Sequence, residues 1–221
     1  MLGYLAQAGE ETFQGDPDAD LTQQRASQKG IESYILDSNP LLEAFGNAKT
    51  FRNANSSRFG KFLDVEFRLD TGKIHSANIV TYLLEKSRVV SHLGNERSFH
   101  IFYQLLANDE LRARFDLNAA PQSYKILKSE TDTYTVDGVN DQEVFEETLG
   151  CMKSIDFTDE EVECIWQILV AILHLGNVTC TENDNDEVSV DASSRDELLK
   201  AADLLALDRT LLEKMMTMKV A

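Results

Sequence analysis

One stretch of the chain permits very little freedom of fold. Leu63, Val65, Phe67 and Leu69 alternate strictly with Asp64, Glu66, Arg68 and Asp70. A period of two predicts a β-strand with one face buried and one face wet. Asp70-Thr71-Gly72 reads as a turn in which Gly72 is free to take a positive φ. A second strand is expected from Lys73 to about Leu84, giving a long antiparallel hairpin.

Around this hairpin the pattern is helical. Ile31, Tyr34, Ile35 and Ser38 follow helical spacing, and Asn39-Pro40 is expected to restart the chain, with Asn39 as cap and Pro40 at the first helical position. Gly46 fits the residue just past that helix. After the hairpin, Phe99, Phe102, Tyr103 and Leu106 form an aromatic-rich helix face that reads as core. Residues 107–139 look irregular, apart from a short helix near Glu110 to Phe115. Asn140 with Glu143, and Thr158 with Glu161, both carry the signature of a helix start. The second opens the strongest helix, with Val162, Ile165, Trp166, Leu169, Ile172 and Leu173 on one face and Gly176 at its end. A short hairpin is expected across the acidic run at 182–187, then a helix opened by Ser194 and Glu197, and a last one capped by Asp208. Met1 to Ala8 reads as the last turns of a helix, and Gly9 to Gly30 as a polar linker.

Composition narrows the function. The formal net charge is −17, which disfavours binding to a phosphate backbone and argues against a nucleic-acid protein. A nucleotide site, needing only a few local donors and a metal ion, remains open. Cys151, Cys164 and Cys180 show no CxxC spacing and read as buried free thiols in a reducing compartment. No signal peptide and no transmembrane run is visible. The acidic runs lack the glycine and distal glutamate of a calcium loop and read as solvated faces. His75, His100 and His174 have no partner at metal spacing.

The chemistry concentrates in the polar loop from Gly46 to Lys61, GNAKTFRNANSSRFGK. Asn53, Asn55, Ser56, Ser57 and Arg58 sit together at a helix–strand junction. Asparagine amides can hold phosphate oxygens, a serine hydroxyl can ligate Mg2+, and arginine can fork onto a carboxylate or a phosphate. A capped, solvated turn has the same composition. The chain contains no G-x-S-x-G elbow and no G-x-x-x-x-G-K-[ST], so neither that hydrolase site nor a complete P-loop lies within these residues.

Longer motifs resolve the ambiguity by resemblance. SNPLLEAFGNAKT followed by NANSSRFGKF resembles switch I of the myosin motor domain and its approach. YLLEKSRVV (Tyr82 to Val90), ERSFHIFYQLL (Glu96 to Leu106) and ILHLGNV (Ile172 to Val178) continue the similarity in the family's order. The resemblance implies an α/β fold, a fragment of a P-loop NTPase with an antiparallel transducer hairpin followed by a mainly helical subdomain. On that reading 1–30 is the end of the P-loop helix and a variable surface loop, and 31–61 is a helix and switch I. Residues 62–90 become the transducer hairpin, and 91–221 the upper fifty-kilodalton subdomain.

The implied function is part of an ATP-hydrolysing, actin-based cytoskeletal motor in the cytoplasm, using ATP and Mg2+. Light chains would be possible partners through a lever arm outside these residues. Carried over residue by residue, Asn53 would contact the nucleotide phosphates. Ser57 would ligate Mg2+, and Ser56 would sit by the attacking water. Arg58 would pair with a glutamate of switch II, closing the site behind the γ-phosphate. The family's phosphate-binding loop is expected before Met1 and its switch II after Ala221, so the 221 residues alone are expected to be inactive. The alternative expectation is a non-catalytic motor remnant acting as a binding or regulatory module.

Overall fold

The computed structural model describes residues 30–182 and 188–218. The readings for Met1 to Ala8, nearly all of the linker from Gly9 to Gly30, and the tip of the acidic hairpin lie outside the described residues.

Helix α1 spans Ile31–Gly46 without a break. The expected restart at Asn39-Pro40 is therefore corrected: Pro40 lies inside the helix. A proline there removes one helical hydrogen bond and crowds the preceding turn. Packing decides the outcome, because Ile35 before it and Ala44 after it are both buried. Asn39, released from capping, accepts a hydrogen bond from Lys61 Nζ at 2.6 Å and ties the helix to the hairpin. Gly46 is the last helical residue, and a side chain there would collide with the Phe59 ring.

Two very short strands, β1 (Asn47–Ala48) and β2 (Ser56–Ser57), pair antiparallel and close the loop between them. The hairpin follows as β3 (Gly60–Phe67) and β4 (Ile74–Tyr82), antiparallel, with a register shift between Glu66 and Phe67. Gly72 takes φ 67° in its turn, as expected. The face that the alternation predicts to be buried is not covered among the described residues. Leu63 and Val65 are only half-buried, while Phe67 and Leu69 are exposed. Phe62 and Tyr82 are exposed as well, and this sheet holds β3 and β4 alone among the described residues.

The core sits in the helices. Helix α2 (His100–Ala107) is buried nearly all round, from Ile101 to Leu106, which makes it the axis of the helical core. Helix α3 (Asp109–Phe115) follows, with the Asn108 side chain accepting from Leu111 N at 2.8 Å. Helix α4 (Asp141–Ser154) is capped by Asn140, whose side chain accepts from Gln142 N. It packs against both α1 and α2. Helix α5 (Asp159–Asn177) begins with a complete capping box: Thr158 Oγ1 accepts from Glu161 N, and Glu161 accepts from Thr158 N. Trp166, Val170 and Leu173 of α5 are buried, and Trp166 meets Phe145 of α4 at 5.3 Å between ring centroids. Each such side chain contributes roughly 1.5–3 kcal/mol of burial. Gly176 does not end the helix; it lies within it, against Ile126.

Strands β5 (Cys180–Glu182) and β6 (Val188–Val190) form the expected short hairpin. Helices α6 (Arg195–Leu204) and α7 (Arg209–Thr217) complete the described chain, with the Asp208 side chain capping α7. Among the described residues the three sheets are all two-stranded and antiparallel. Among the described residues no helix is long and apolar enough to cross a membrane. None of the cysteines is in a disulfide, but the expectation of burial fails: Cys151 is half-buried, and Cys164 and Cys180 are exposed.

Candidate functional site

The polar loop runs from the end of α1 to the start of β3, and β1–β2 pinches it at its base. Ala48 is fully buried and bridges to Phe99 at the start of α2, so the base rests on the helical core. Above that base the loop is organised by its own polar groups. Thr50 N and Thr50 Oγ1 both donate to the Asn53 carbonyl, at 2.8 and 3.1 Å. Asn53 Oδ1 accepts from Asn55 N at 3.0 Å. This is the side-chain-to-backbone bonding that lets asparagine shape a turn.

The structure separates the four predicted site residues into two groups. Ser56 and Arg58 are together: Arg58 Nη1 donates to Ser56 Oγ at 3.2 Å, and both are half-buried. Ser57 is exposed on β2, and alternation along a strand turns it to the face opposite Ser56. Asn53 is exposed at the loop crest. The carboxylate beside Arg58 is Glu85, reached by Arg58 Nε at 2.6 Å. The resemblance had implied a glutamate of switch II in that place. Burial alone would raise the pKa of Glu85, but hydrogen bonds from Arg58 and Arg88 outweigh it and hold the carboxyl below its usual range.

Several residues that sequence reasoning left without a role hold the loop in place. Asn55 is the most connected. Its Nδ2 donates to Glu43 of α1 at 3.1 Å, and its Oδ1 accepts from Asn47 Nδ2 at 3.0 Å. His100 Nε2 also lies 3.1 Å from that oxygen. Glu96, buried, accepts from the Phe51 amide at 3.2 Å. Buried Arg97 donates through its backbone to Lys49 O, and its guanidinium forks onto Asp141. The same guanidinium lies 3.8 Å over the Tyr103 ring. Behind the loop, a cleft of about 460 Å³ opens between α1, α2 and α4, with Asn55 and His100 in its wall.

The donor set suits phosphate oxygens, but it is only part of a metal site. Among the described residues no three His, Cys, Asp or Glu side chains come together to hold an ion. One serine hydroxyl is compatible with Mg2+, which usually keeps several waters and takes phosphate oxygens with one or two protein ligands. Ser57, exposed at the base of the loop, fits that limited part.

The class this chain falls into is that of motor-protein heads: a family model described as "Myosin head (motor domain)" matches residues 1–221. The myosin ID heavy chain of Dictyostelium discoideum is 46% identical over 186 residues, covering 83% of this chain and 16% of that protein. Unconventional myosin IC of Drosophila melanogaster is 45% identical over 191 residues, 86% of this chain and 18% of that protein. Myosin-15 of Arabidopsis thaliana is 44% identical over 186 residues, 83% of this chain and 12% of that protein. The chain belongs to the myosin head (motor domain) family. It spans less than a fifth of the length of these relatives.

Proposed function

We propose that these residues are the switch I segment of an ATP-hydrolysing, actin-based motor, joined to part of its transducer and upper subdomain. The observation that carries this reading is the half-buried Ser56–Arg58–Glu85 cluster at the base of a polar loop braced against the helical core. Such a loop presents phosphate-binding groups on a support that can respond when they are engaged. In the P-loop NTPase fold the site would be completed by a phosphate-binding loop and a switch II segment. Asn53 would hold phosphate oxygens, Ser57 would supply one oxygen to Mg2+, and Ser56 would position the attacking water. The ion itself would neutralise charge on the transferred phosphoryl group. Arg58, already paired with Glu85, would exchange or share that carboxylate with one from switch II as the site closes.

The β3–β4 hairpin then acts as a transducer, carrying strain between the nucleotide and actin sides. The helices from α2 onward form one jaw of the actin-binding cleft. Residues 1–221 alone contain no phosphate-binding lysine motif, so they do not turn over ATP in isolation. The test is a polypeptide joining these residues to a phosphate-binding loop and a switch II segment. Arg58→Ala is expected to slow hydrolysis far more than it weakens ATP binding. Unchanged hydrolysis in that variant would count against the role of Arg58. Absence of turnover in the joined polypeptide itself would favour a non-catalytic binding module.

A further inference from the structure

The loop is held by two limbs, and each limb ends on a different carboxylate. On the entry limb, Phe51 N donates to Glu96 Oε1 at 3.2 Å, and Lys49 O accepts from Arg97 N at 3.0 Å. On the exit limb, Arg58 Nε donates to Glu85 Oε2 at 2.6 Å, and Arg58 O accepts from Glu85 N at 2.9 Å. Between the carboxylates lies Arg88, 4% exposed. Its Nη1 donates to Glu96 Oε2 and its Nε to Glu85 Oε2, both at 2.8 Å. Nη1 also reaches the Arg97 carbonyl at 3.1 Å.

A buried arginine is costly unless every direction of its charge is met. Here the planar fork meets two carboxylates from two directions, which a lysine point charge would not reproduce. Burial disfavours the charged form of Arg88, yet the hydrogen bonds to Glu85 and Glu96 raise its pKa, so the bridge stays ionised. A residue that only filled space at this position would be better served by an apolar side chain. The bridge instead connects the group that holds Phe51 to the group that holds Arg58.

We infer that Arg88 is a positioning residue for the loop: it fixes the spacing of the entry and exit limbs, so that the loop moves as one unit. This rests on the reading of the loop as a phosphate switch, and it names what sets the resting geometry of that switch. Without the bridge each limb would loosen separately, and Asn53 and Ser57 would no longer be presented together.

Amide hydrogen exchange on the 221-residue chain, without nucleotide, tests this directly. In Arg88→Met, exchange is expected to rise roughly ten- to a hundredfold over both 49–53 and 56–60, as each limb loses the charge-assisted bond that anchors its carboxylate. Residues 162–173 in the core should be unchanged. Arg58→Ala should loosen 56–60 alone, and Arg88→Lys should fall between wild type and Arg88→Met. A rise confined to one limb in Arg88→Met, or an equal rise across 162–173, would overturn the inference. Should Arg88→Met not fold, Glu96→Gln replaces it. That variant keeps an acceptor for Phe51 and removes the charge facing Arg88. It is expected to loosen 56–60, which Glu96 does not touch, and no change there would overturn the coupling. No nucleotide enters this experiment, so its failure leaves the hydrolysis reading standing, and failure of the Arg58→Ala hydrolysis test leaves the coupling standing.

Discussion

His100 gives the loop support a pH dependence whose sign can be worked out. It opens α2, lines the cleft behind the loop, and lies 3.1 Å from Asn55 Oδ1 through Nε2. Burial, reinforced by the Arg97 guanidinium, pushes its pKa from 6.5 down to about 4, with Asp141 pulling weakly the other way. The ring is therefore neutral at pH 7. Between the two values the unfolded chain binds a proton that the folded chain refuses, so stability falls as pH drops from about 6.5 to about 4. Above 6.5 the residue contributes no slope. At about 1.4 kcal/mol per pH unit the full window caps the effect near 3 kcal/mol, and solvent in the cleft reduces the expected loss to about 1–2 kcal/mol. The assay is a pair of measurements. An NMR titration of the His100 ring should give a pKa well below 6.5. Urea midpoints at pH 7 and pH 5 should differ by less in His100→Gln than in the unaltered chain. A ring that titrates near 6.5, or a pH slope untouched by His100→Gln, would refute the reasoning.

Two core substitutions test how α4 carries the loop support. Thr148 is buried, with its hydroxyl 3.1 Å from Gln104 Oε1 and 2.9 Å from the Val144 carbonyl. Thr148→Val would strand the buried Gln104 oxygen and is expected to cost about 1–3 kcal/mol in urea denaturation, with the helical circular dichroism unchanged. Met152 has no exposed surface. Met152→Ala is expected to cost about 2–5 kcal/mol by the same measurement, because the packed helices around it can only partly close the gap.

Much of the helical core was legible because local and long-range signals agreed there. For α5, the Thr158–Glu161 capping box and a 3.6-residue apolar stripe both pointed to one helix, and both are present. The β3–β4 hairpin was legible for the same reason, with alternation and the Gly72 turn in accord. Its burial was not, since alternation says which side chains share a face and nothing about whether another layer covers them. At Pro40 the local signal was overruled by the packing of Ile35 and Ala44. Gly176 was misread as a stop because a glycine also serves where Ile126 presses against a helix. Within the site, Ser56 and Arg58 are only two residues apart in the chain, so their meeting is local. Glu85 lies 27 residues from Arg58, and Glu96 45 from Phe51. No pattern within a strand or helix links groups that far apart; only the tertiary fold brings them together.

The attachment of α1 to α4 also has a consequence in time. Tyr34 of α1 donates to Asp156, 122 residues later, and Ser154 Oγ donates to Asp37 across 117 residues. Closing a span of that length costs roughly 4 kcal/mol of chain entropy before any contact repays it. The α5–α6 pair, by contrast, is made from neighbours in the chain. A ribosome making this protein would release the whole polar loop long before the helix that backs its supporting helix had emerged. The loop's chemistry is thus written early and its geometry set late, which leaves Asn53 through Arg58 without their framework until the chain has been made as far as Ser154.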